Sequence, residues 1–239
     1  MVKKRAAGGR YHSFLGLFRT ERPLGLVEYQ TKLEGIFMNN IRLVKIVFFL
    51  LMIIGAAGAI PSWANFLAGE DAYLRQDYER AFEEWAPLAK SGNIEAQNML
   101  GYMYRYGQGV PQNFEQAHSW YRLAAEQGHA RAQNNLGAMY RQGLGVPQDF
   151  AEALRWFRRS AEQGNGAAQN HLGLMYFEGE GIAKNEIEAY KWAYLSAQQG
   201  LEPAILALDF LEQHLTPDQI QTAKQLAQEW TPKAEEVQL

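Results

Sequence analysis

Histidines are the first residues to consider for chemistry, because an imidazole ring can bind a metal ion or act as a general base. The chain of 239 residues contains five histidines and no cysteine. Four of the histidines sit at different positions of the sequence pattern described below: His118, His129, His171 and His214. No two of them have ligand spacing with a carboxylate, so we expect neither a metal site nor a cofactor.

Two further kinds of site, a serine nucleophile and a phosphate-binding loop, are judged from their motifs. The sequence has no Ser-x-x-Lys, Ser-Asp-Asn or Lys-Thr-Gly, so the serine acyl-transfer motifs are missing. Glycine pairs of the form Gly-x-Gly occur three times, at Gly107 and Gly109, at Gly143 and Gly145, and at Gly179 and Gly181. These pairs lie between predicted helices and lack the lysine of a phosphate-binding loop, so they predict turns. We therefore expect that the protein is not an enzyme.

The glycine pairs belong to a sequence repeat with a period of 36 residues. Its most regular part is an Ala-Gln-Asn triplet, followed in register by Leu-Gly, Met-Tyr, the glycine pair, a Trp and an Ala. The triplet occurs at Ala96-Gln97-Asn98, Ala132-Gln133-Asn134 and Ala168-Gln169-Asn170. A fixed period of this length is typical of stacked repeats, in which each unit buries its apolar face against its neighbours.

Each repeat predicts a helix, a turn and a second helix. In the middle repeat, apolar residues recur at helical spacing from Ala132 to Tyr140, and again from Ala153 to Ala161. Glycine and proline between these two segments break the helix, since glycine adopts left-handed backbone angles and proline lacks the N–H group. Gly164 stands where a glycine ends the second helix.

Two features of the repeat predict how its helices begin and touch. Asp149 is predicted to cap the second helix of the middle repeat, with Glu152 completing a capping box. A glycine within each first helix, such as Gly137, disfavours the helix by about 1 kcal/mol relative to alanine and needs a packing reason. We expect an aromatic ring of the second helix, Trp156 or Phe157, to lie across it. The same capping box is predicted at Asn113 with Gln116 and at Asn185 with Glu188.

The whole pattern reads Ala-Gln-Asn-x-Leu-Gly-x-Met-Tyr, Gly-x-Gly-Val-Pro-Gln, Ala-x-x-Trp-Tyr/Phe and Ala-Glu-Gln-Gly, and it covers Glu95 to Leu201. It resembles the Sel-one-like repeat, a sub-class of the tetratricopeptide-like helical repeats. The resemblance implies an all-α fold, a right-handed α-solenoid of helix-turn-helix repeats. The third repeat departs from the pattern at Ala183, which replaces proline, and at Ala193, which replaces an aromatic residue. This departure indicates that the third repeat packs against something different.

The three full 36-residue repeats are extended at both ends. Asn65 to Ser91 predicts a shortened N-terminal unit, which keeps Ala81 and Ala89 in register but lacks the long glycine turn. Such atypical terminal repeats are common in this architecture. We expect the solenoid with its C-terminal cap to span residues 65–232, and residues 233–239 to form a frayed tail.

Two capping helices are predicted after the third repeat. The first begins at Glu202-Pro203 and runs to about His214, with an apolar stripe formed by Ile205, Leu208 and Leu211. The second opens with Thr216 as N-cap, Pro217 at the first helical position and Gln219 at the third, and runs to about Trp230. Its apolar residues are predicted to cover the open end of the solenoid.

Residues 38–64 have the pattern of a secretory signal peptide. An apolar run from Ile46 to Ile60 follows Arg42 and Lys45, and small residues precede a predicted cleavage point after Ala64. The alternative is an uncleaved signal anchor in the inner membrane, although the apolar run is shorter than the ~20 residues of a membrane helix.

The segment before this signal is either a misassigned upstream start or a cytoplasmic tail. It spans residues 1–37, and Met38 makes a typical start for a signal peptide. An anchor would leave residues 1–45 in the cytoplasm, where their excess of basic side chains is expected. We expect a periplasmic or secreted protein, with a single N-terminal inner-membrane anchor as the alternative.

Net charge narrows the class of partner. Removing the nine Lys/Arg and three Asp/Glu of residues 1–45 from the totals of 23 and 26 leaves 14 basic and 23 acidic residues. An acidic domain is a poor match for nucleic acid, which requires a basic face. We expect a protein or peptide partner, no nucleic acid, and membrane contact only through the N-terminal apolar segment if it stays uncleaved.

The candidate binding surface lies on the first helix of each repeat, on the face predicted to be opposite the core. Stacked first helices line the concave side of a solenoid, where extended binding surfaces occur. The residues predicted for this face are Asn98, Tyr102 and Arg105, then Asn134, Ala138 and Arg141, then Asn170, Leu174 and Phe177. The repeated asparagines are suited to a peptide backbone and the arginines to an acidic group. The alternative is that the asparagines only solvate or cap locally.

The resulting functional hypothesis is a non-enzymatic adaptor or scaffold that binds a protein or peptide on this face. The family resemblance implies a role in envelope assembly, signalling or host contact. The alternatives are a hydrolase or binder of cell-wall or β-lactam compounds, an anchored inner-membrane scaffold, and self-association by end-to-end stacking.

Overall fold

The computed structural model describes residues 62–233, with side chains from residue 65 onward. Within this range the chain forms ten helices and no strand. The helices are α1 (Ser62–Leu74), α2 (Tyr78–Lys90), α3 (Ile94–Tyr106), α4 (Phe114–Glu126), α5 (Ala130–Gln142), α6 (Phe150–Glu162), α7 (Gly166–Glu178), α8 (Glu186–Ala197), α9 (Glu202–Leu211) and α10 (Pro217–Gln228). The fold is an all-α solenoid of helical repeats, as the sequence predicts.

The helices pack in chain order, which is the arrangement expected of stacked repeats. The closest pairs are α1 with α2, α3 with α4, α5 with α6 and α7 with α8, and each pair also packs on the next. The α1–α2 pair is the N-terminal unit, joined by the short turn that the sequence predicts. Helices α9 and α10 both pack on α8, so the second helix of the third repeat carries the C-terminal cap.

Side-chain caps fix the helix starts. Asp149 accepts hydrogen bonds from the backbone N–H groups of Ala151 and Glu152 at 2.9 and 3.0 Å. Asn113 and Asn185 cap α4 and α8 in the same way. At Asn113, Asp149 and Asn185 the prediction is therefore confirmed for the N-cap but not for the full capping box. The second hydrogen bond of the box, from the N-cap backbone to the third helical residue, is present at Thr216 with Gln219. The first helices are capped by Asn93, His129 and Asn165.

Aromatic rings fill the glycine positions of the first helices, as predicted. A Cβ atom on Gly137 would lie 2.9 Å from the Phe157 ring, so Phe157 and not Trp156 occupies this position. Tyr121 fills the same place against Gly101, where the distance is 2.6 Å. The N-terminal unit repeats the contact with Gly69 and Trp85, and all three rings are fully buried. The glycine therefore makes room for the ring that separates the two helices of a unit.

The C-terminal cap differs from the predicted one in part. Helix α9 ends at Leu211, and the residues that it buries are Ala204 and Leu211, whereas Ile205 is 44% exposed. The predicted stripe is therefore wrong at Ile205, because α9 leans on α8 along a narrower face. Lys233 donates its backbone N–H to the Glu162 carbonyl at 2.8 Å, so hydrogen bonding continues to the last described residue.

The predictions about the leader lie outside the described residues. These are the signal peptide or anchor at residues 38–64, apart from its last three residues, and the upstream segment at residues 1–37. Among the helices that the structure describes, none combines the length and the hydropathy that crossing a membrane requires. The tail after Lys233 is likewise outside the described range.

Candidate functional site

Six of the nine residues predicted for the binding face line two depressions: Asn98, Tyr102 and Asn134 line one, and Asn170, Leu174 and Phe177 line the other. The polar groove has a volume of about 410 Å³ and is lined by Tyr73, Asn98, Met99, Tyr102, Arg131, Asn134, Asn135, Asn165 and Ala167. The apolar cleft has a volume of about 400 Å³ and is lined by Asn170, Gly173, Leu174, Phe177, Glu178, Ala189, Ala193, Pro203, Ala207, Phe210 and Leu211. The structure thus divides the predicted set into an amide-rich part and an apolar part.

Asparagine amides form the floor of the polar groove. Asn135 donates its Nδ2 to Oδ1 of Asn98 at 3.4 Å, which links α3 to α5. Asn98 is only 5% exposed, so this amide lies beneath the surface that the sequence predicts it to occupy. Asn134 is half-buried, and its Oδ1 atom is buried without a hydrogen-bond partner in the described part of the chain. A buried acceptor that lacks a partner costs free energy, because it has lost its hydrogen bonds to water.

Aromatic side chains form one wall of the polar groove. The Tyr73 hydroxyl donates to Oε1 of Gln108 at 2.8 Å, and its ring meets Tyr102 edge-on with 6.4 Å between centroids. Burial, followed by the neighbouring Tyr102, raises the pKa of Tyr73. Tyr102 also packs on Tyr106, which is 51% exposed, and the Arg105 guanidinium lies 5.3 Å from the Tyr106 ring. This wall offers flat apolar surface beside polar amides.

Arg141 is not available to an acidic partner in the way that the sequence predicts. Its guanidinium donates to Glu180 at 2.6 Å and to Glu178 at 3.0 Å, both at the end of α7. These contacts raise the pKa of Arg141, the hydrogen bond to Glu180 being the largest cause. The equivalent Arg105 has no carboxylate partner among residues 62–233, because Leu144 stands where Glu180 would be needed. Of the two arginines, Arg105 is the one with an unpaired charge.

Ala138 also lies elsewhere than predicted. It is 6% exposed and packs in the core cluster that contains Phe157 and Leu172. The prediction that it faces away from the core is wrong, because the next repeat covers this side of α5. Ala138 is therefore covered by the neighbouring repeat and does not form part of an open face.

His171 of α7 packs on the core residue Phe157, and the charges of Arg141 and Arg105 affect its pKa. Its ring stacks on Phe157 with 4.7 Å between centroids, and its Nδ1 atom is buried without a hydrogen-bond partner in the described range. Burial lowers the pKa of His171 to about 4, with Arg141 and Arg105 adding to the effect. His171 is therefore neutral at physiological pH, and it follows Asn134 by the same 37 residues that separate Asn135 from Asn98.

One histidine does meet a carboxylate. The Nδ1 atom of His129 accepts the Ala132 N–H at 3.1 Å, which leaves the proton on Nε2 to be donated to Glu95 at 2.7 Å. This hydrogen bond is the main cause of the lowered pKa of Glu95. The pair joins two successive repeats and is a capping contact. Over residues 62–233, no three potential metal-binding side chains come together.

The apolar cleft joins the third repeat to the cap. Phe177 of α7 meets Phe210 of α9 edge-on, with 5.5 Å between centroids, and Phe210 is 46% exposed. Leu174 and the partly exposed Asn170 complete the α7 side. The sequence predicts these three α7 residues but not the α9 side of the cleft, for which the loss of the aromatic residue at Ala193 is the one sequence signal.

Comparison with known proteins agrees with this architecture. A family model described as Sel1 repeat matches residues 94–129, 130–165 and 166–201. The chain is similar to the crystal structure of a Sel1 repeat protein from Oxalobacter formigenes, with 39% identity and a TM-score of 0.57 over 60% of this chain and 57% of that chain. It is also similar to a protective antigen displaying an SLR fold, present in uropathogenic Escherichia coli strains, with 30% identity and a TM-score of 0.45 over 71% of this chain and 45% of that chain.

The chain spans less than two thirds of either of these two solved structures. No curated protein matches the sequence. The three matched segments coincide with the helix pairs α3–α4, α5–α6 and α7–α8, and each ends at the start of the next first helix. Residues 94–201 of this chain therefore consist of three segments that match the Sel1 repeat.

Proposed function

We propose that this protein is a non-enzymatic interaction module whose polar groove binds an extended peptide segment of a protein partner. Sel1 repeats are commonly protein-interaction modules, which supports the general class. The observation that carries the proposal is the set of asparagine side chains, Asn134, Asn135 and Asn165, that line the groove together with the Tyr102 ring. The N–H and carbonyl groups of an extended peptide are the hydrogen-bonding partners that such amides accept.

The rest of the groove suits the same ligand. Tyr73, Met99 and Tyr102 line it together with the asparagines, so apolar surface accompanies the amide groups. An asparagine amide can bind both the N–H and the carbonyl of a peptide. The unpaired charge of Arg105 lies beside this wall and favours an acidic residue in the partner.

A site-specific cross-link in the native host tests this proposal. A photo-reactive phenylalanine analogue at Tyr102 is expected to capture a protein partner, whereas the same analogue at Leu123 is not. Leu123 is a matched control because it is 45% exposed and lies on α4, a second helix.

The purified partner segment then provides the quantitative measurement. Asn134→Ala is expected to weaken its binding about tenfold, in line with the loss of one buried hydrogen bond. Equal cross-linking at Tyr102 and Leu123, or unchanged affinity of Asn134→Ala, would contradict the proposal. Turnover of a chromogenic β-lactam by the purified chain would instead support the alternative of a hydrolase.

We also propose that the solenoid acts outside the cytoplasm, as a periplasmic or secreted protein. The support is the basic and apolar pattern that precedes Ala64 in the sequence. N-terminal sequencing and intact mass of the protein from its native host give the test. A mature start at Asn65 is the expected result, and a retained apolar segment would indicate an inner-membrane anchor instead.

A further inference from the structure

We infer that the apolar cleft binds an aromatic side chain of the protein partner, with a basic residue next to it in the partner's sequence. This inference rests on the proposed function and adds the chemistry of one anchoring residue. The cleft lies at the junction of the third repeat with the cap, between α7, α8 and α9.

A contact between glycine and an aromatic ring, repeated in three units, indicates an aromatic side chain as the occupant of the cleft. Each of the first three units places an aromatic ring of its second helix against a glycine of its first helix. The pairs are Gly69 with Trp85, Gly101 with Tyr121 and Gly137 with Phe157. All three rings are fully buried, so the architecture reserves space for one aromatic side chain per unit.

The third full repeat lacks this ring. Ala193 stands where Phe157 and Tyr121 stand in the other repeats, and α8 moves closer to α7 as a result. A Cβ atom on Gly173 would meet the backbone of α8, at 3.0 Å from the Ala189 carbonyl oxygen and 3.3 Å from the Ala193 nitrogen. The closer approach does not use all of the space. A cleft of about 400 Å³ remains beside Gly173, Ala189 and Ala193.

The walls of the cleft suit a ring. Phe177 and Phe210 already meet edge-on at 5.5 Å, the geometry that a third aromatic ring extends most favourably. Leu174 and Ala207 supply apolar surface on either side. The volume lies within the range of about 300–1,000 Å³ that is usual for binding pockets, so a ring and its adjoining backbone fit.

Charge indicates the neighbouring residue. Glu178 is the one charged side chain among the residues that line the cleft, and its side chain is 42% exposed although it also pairs with Arg141. Asp209 adds an exposed acidic group on α9, and Glu212, next to α9, is exposed although it accepts from Tyr190 and pairs with Lys224. A carboxylate at the rim of an apolar site favours a basic residue beside the aromatic anchor.

Methyl NMR of the full chain, labelled at alanine and leucine, tests the inference. The probe is the capped tripeptide Arg-Phe-Arg, with Arg-Ala-Arg and Glu-Phe-Glu as comparison peptides. Ala207 reports on the apolar cleft and Ala167 on the polar groove, because each lines one depression and not the other. Arg-Phe-Arg is expected to shift the Ala207 and Leu174 signals, and to bind about tenfold more tightly than either comparison peptide.

Two variants localise the effect. Phe210→Ala is expected to weaken binding of Arg-Phe-Arg about tenfold. Leu206→Ala is its control, since this residue is one turn earlier on α9, is 62% exposed and does not line the cleft. Ala193→Phe restores the ring of the other repeats and is expected to abolish binding of Arg-Phe-Arg. If this variant fails to fold, the affinity of Phe210→Ala for the same peptide tests the inference by itself.

Other results would overturn the inference. Equal affinity for Arg-Phe-Arg and Arg-Ala-Arg, or shifts confined to Ala167, would remove the aromatic anchor while leaving the proposed function intact. Ala207 signals that change with protein concentration in the absence of peptide would show that a second copy occupies the cleft. Binding at Ala207 with no partner cross-link at Tyr102 would support the cleft and contradict the polar groove.

Discussion

Gln127 donates its Nε2 to Oε1 of Gln97 at 2.7 Å, across 30 residues of sequence. Gln97 is 4% exposed, and its own Nε2 donates to the Ala89 carbonyl at 3.1 Å. One buried amide thus joins the end of α2, the start of α3 and the end of α4. The arrangement recurs at Gln133 with Gln163 and Ala125, and at Gln169 with Gln199 and Ala161. These glutamines link successive units by hydrogen bonds that the apolar core cannot provide.

Removing one of these amides should destabilise the solenoid. Gln97→Met keeps the side-chain length but removes one of the two hydrogen bonds at the Ala89 carbonyl and one of the two made by the Gln127 Nε2 atom. We expect a loss of about 1–3 kcal/mol in the free energy of unfolding, measured by urea denaturation followed by circular dichroism. Gln142→Met, at an exposed position of α5, is the control and should change the stability by less than about 0.5 kcal/mol. Equal urea midpoints for Gln97→Met and Gln142→Met would show that the hydrogen bonds of Gln97 contribute no stability.

The two glycines of one turn should differ in their tolerance of alanine. Gly143 and Gly145 both have φ near +70°, so a side chain costs about 1–2 kcal/mol in backbone strain at either. A Cβ atom on Gly145 would lie 2.5 Å from the backbone of Phe114, whereas on Gly143 the nearest atom is 3.3 Å away. Gly145→Ala is therefore expected to cost about 1–3 kcal/mol more than Gly143→Ala in thermal or urea denaturation. Similar stabilities of Gly145→Ala and Gly143→Ala would contradict the close contact between Gly145 and the backbone of Phe114.

The ring across Gly137 should be detectable by a double-mutant cycle. Gly137→Ala raises helix propensity but drives a methyl group into Phe157, so we expect a net loss of about 1–3 kcal/mol. In a Phe157→Leu background the clash is relieved, and the same alanine should be neutral or stabilising. The coupling energy between the two sites is expected to exceed about 0.5 kcal/mol, and additive effects would contradict it.

His171 should make the protein less stable in mild acid. Its pKa is about 4 in the folded state and 6.5 in the unfolded state, so the unfolded chain takes up the proton first as the pH falls. The stability is therefore fully present above pH 6.5 and is lost between pH 6.5 and pH 4. We expect a loss of about 2 kcal/mol between pH 7 and pH 5 from this residue.

The matched variant for this effect is His171→Asn, which installs the residue found at the equivalent position 135. Urea midpoints at pH 7 and pH 5 should then differ less than in the unaltered protein. His118, whose pKa is also lowered by burial, contributes in the same direction in both proteins and cancels in the comparison. An unchanged pH dependence in His171→Asn would show that the buried imidazole is not the titrating group.

Much of the fold is predictable because the same helix, cap and turn signals occur in each of the three repeats. The period, the paired helices, the N-caps at Asp149 and Thr216 and the glycine under an aromatic ring all follow from spacing and residue type. The choice between Trp156 and Phe157 does not, because both are at apolar positions one residue apart. Only the rotation of α6 about its axis decides which ring meets Gly137.

The surroundings of the candidate site residues cannot be predicted from the local sequence. Asn98, Asn134 and Asn170 are identical in sequence, yet the first is buried under Asn135, the second has a buried acceptor without a partner in the described range, and the third lines an apolar cleft. For two of them the neighbour lies 37 residues later in the chain: Asn135 donates to Asn98, and Ala207 lines the cleft with Asn170.

The sequence by itself determined the helical repeat, its register and the absence of the known serine and phosphate-binding motifs. The tertiary structure decided which of the repeated side chains are free to bind. Arg141 is neutralised by Glu178 and Glu180 because α7 ends beside it, and the cleft next to Ala193 exists because α9 leaves it open. The physical reason is that helix formation depends on residues within one or two turns, whereas exposure and pairing depend on contacts with the neighbouring repeat.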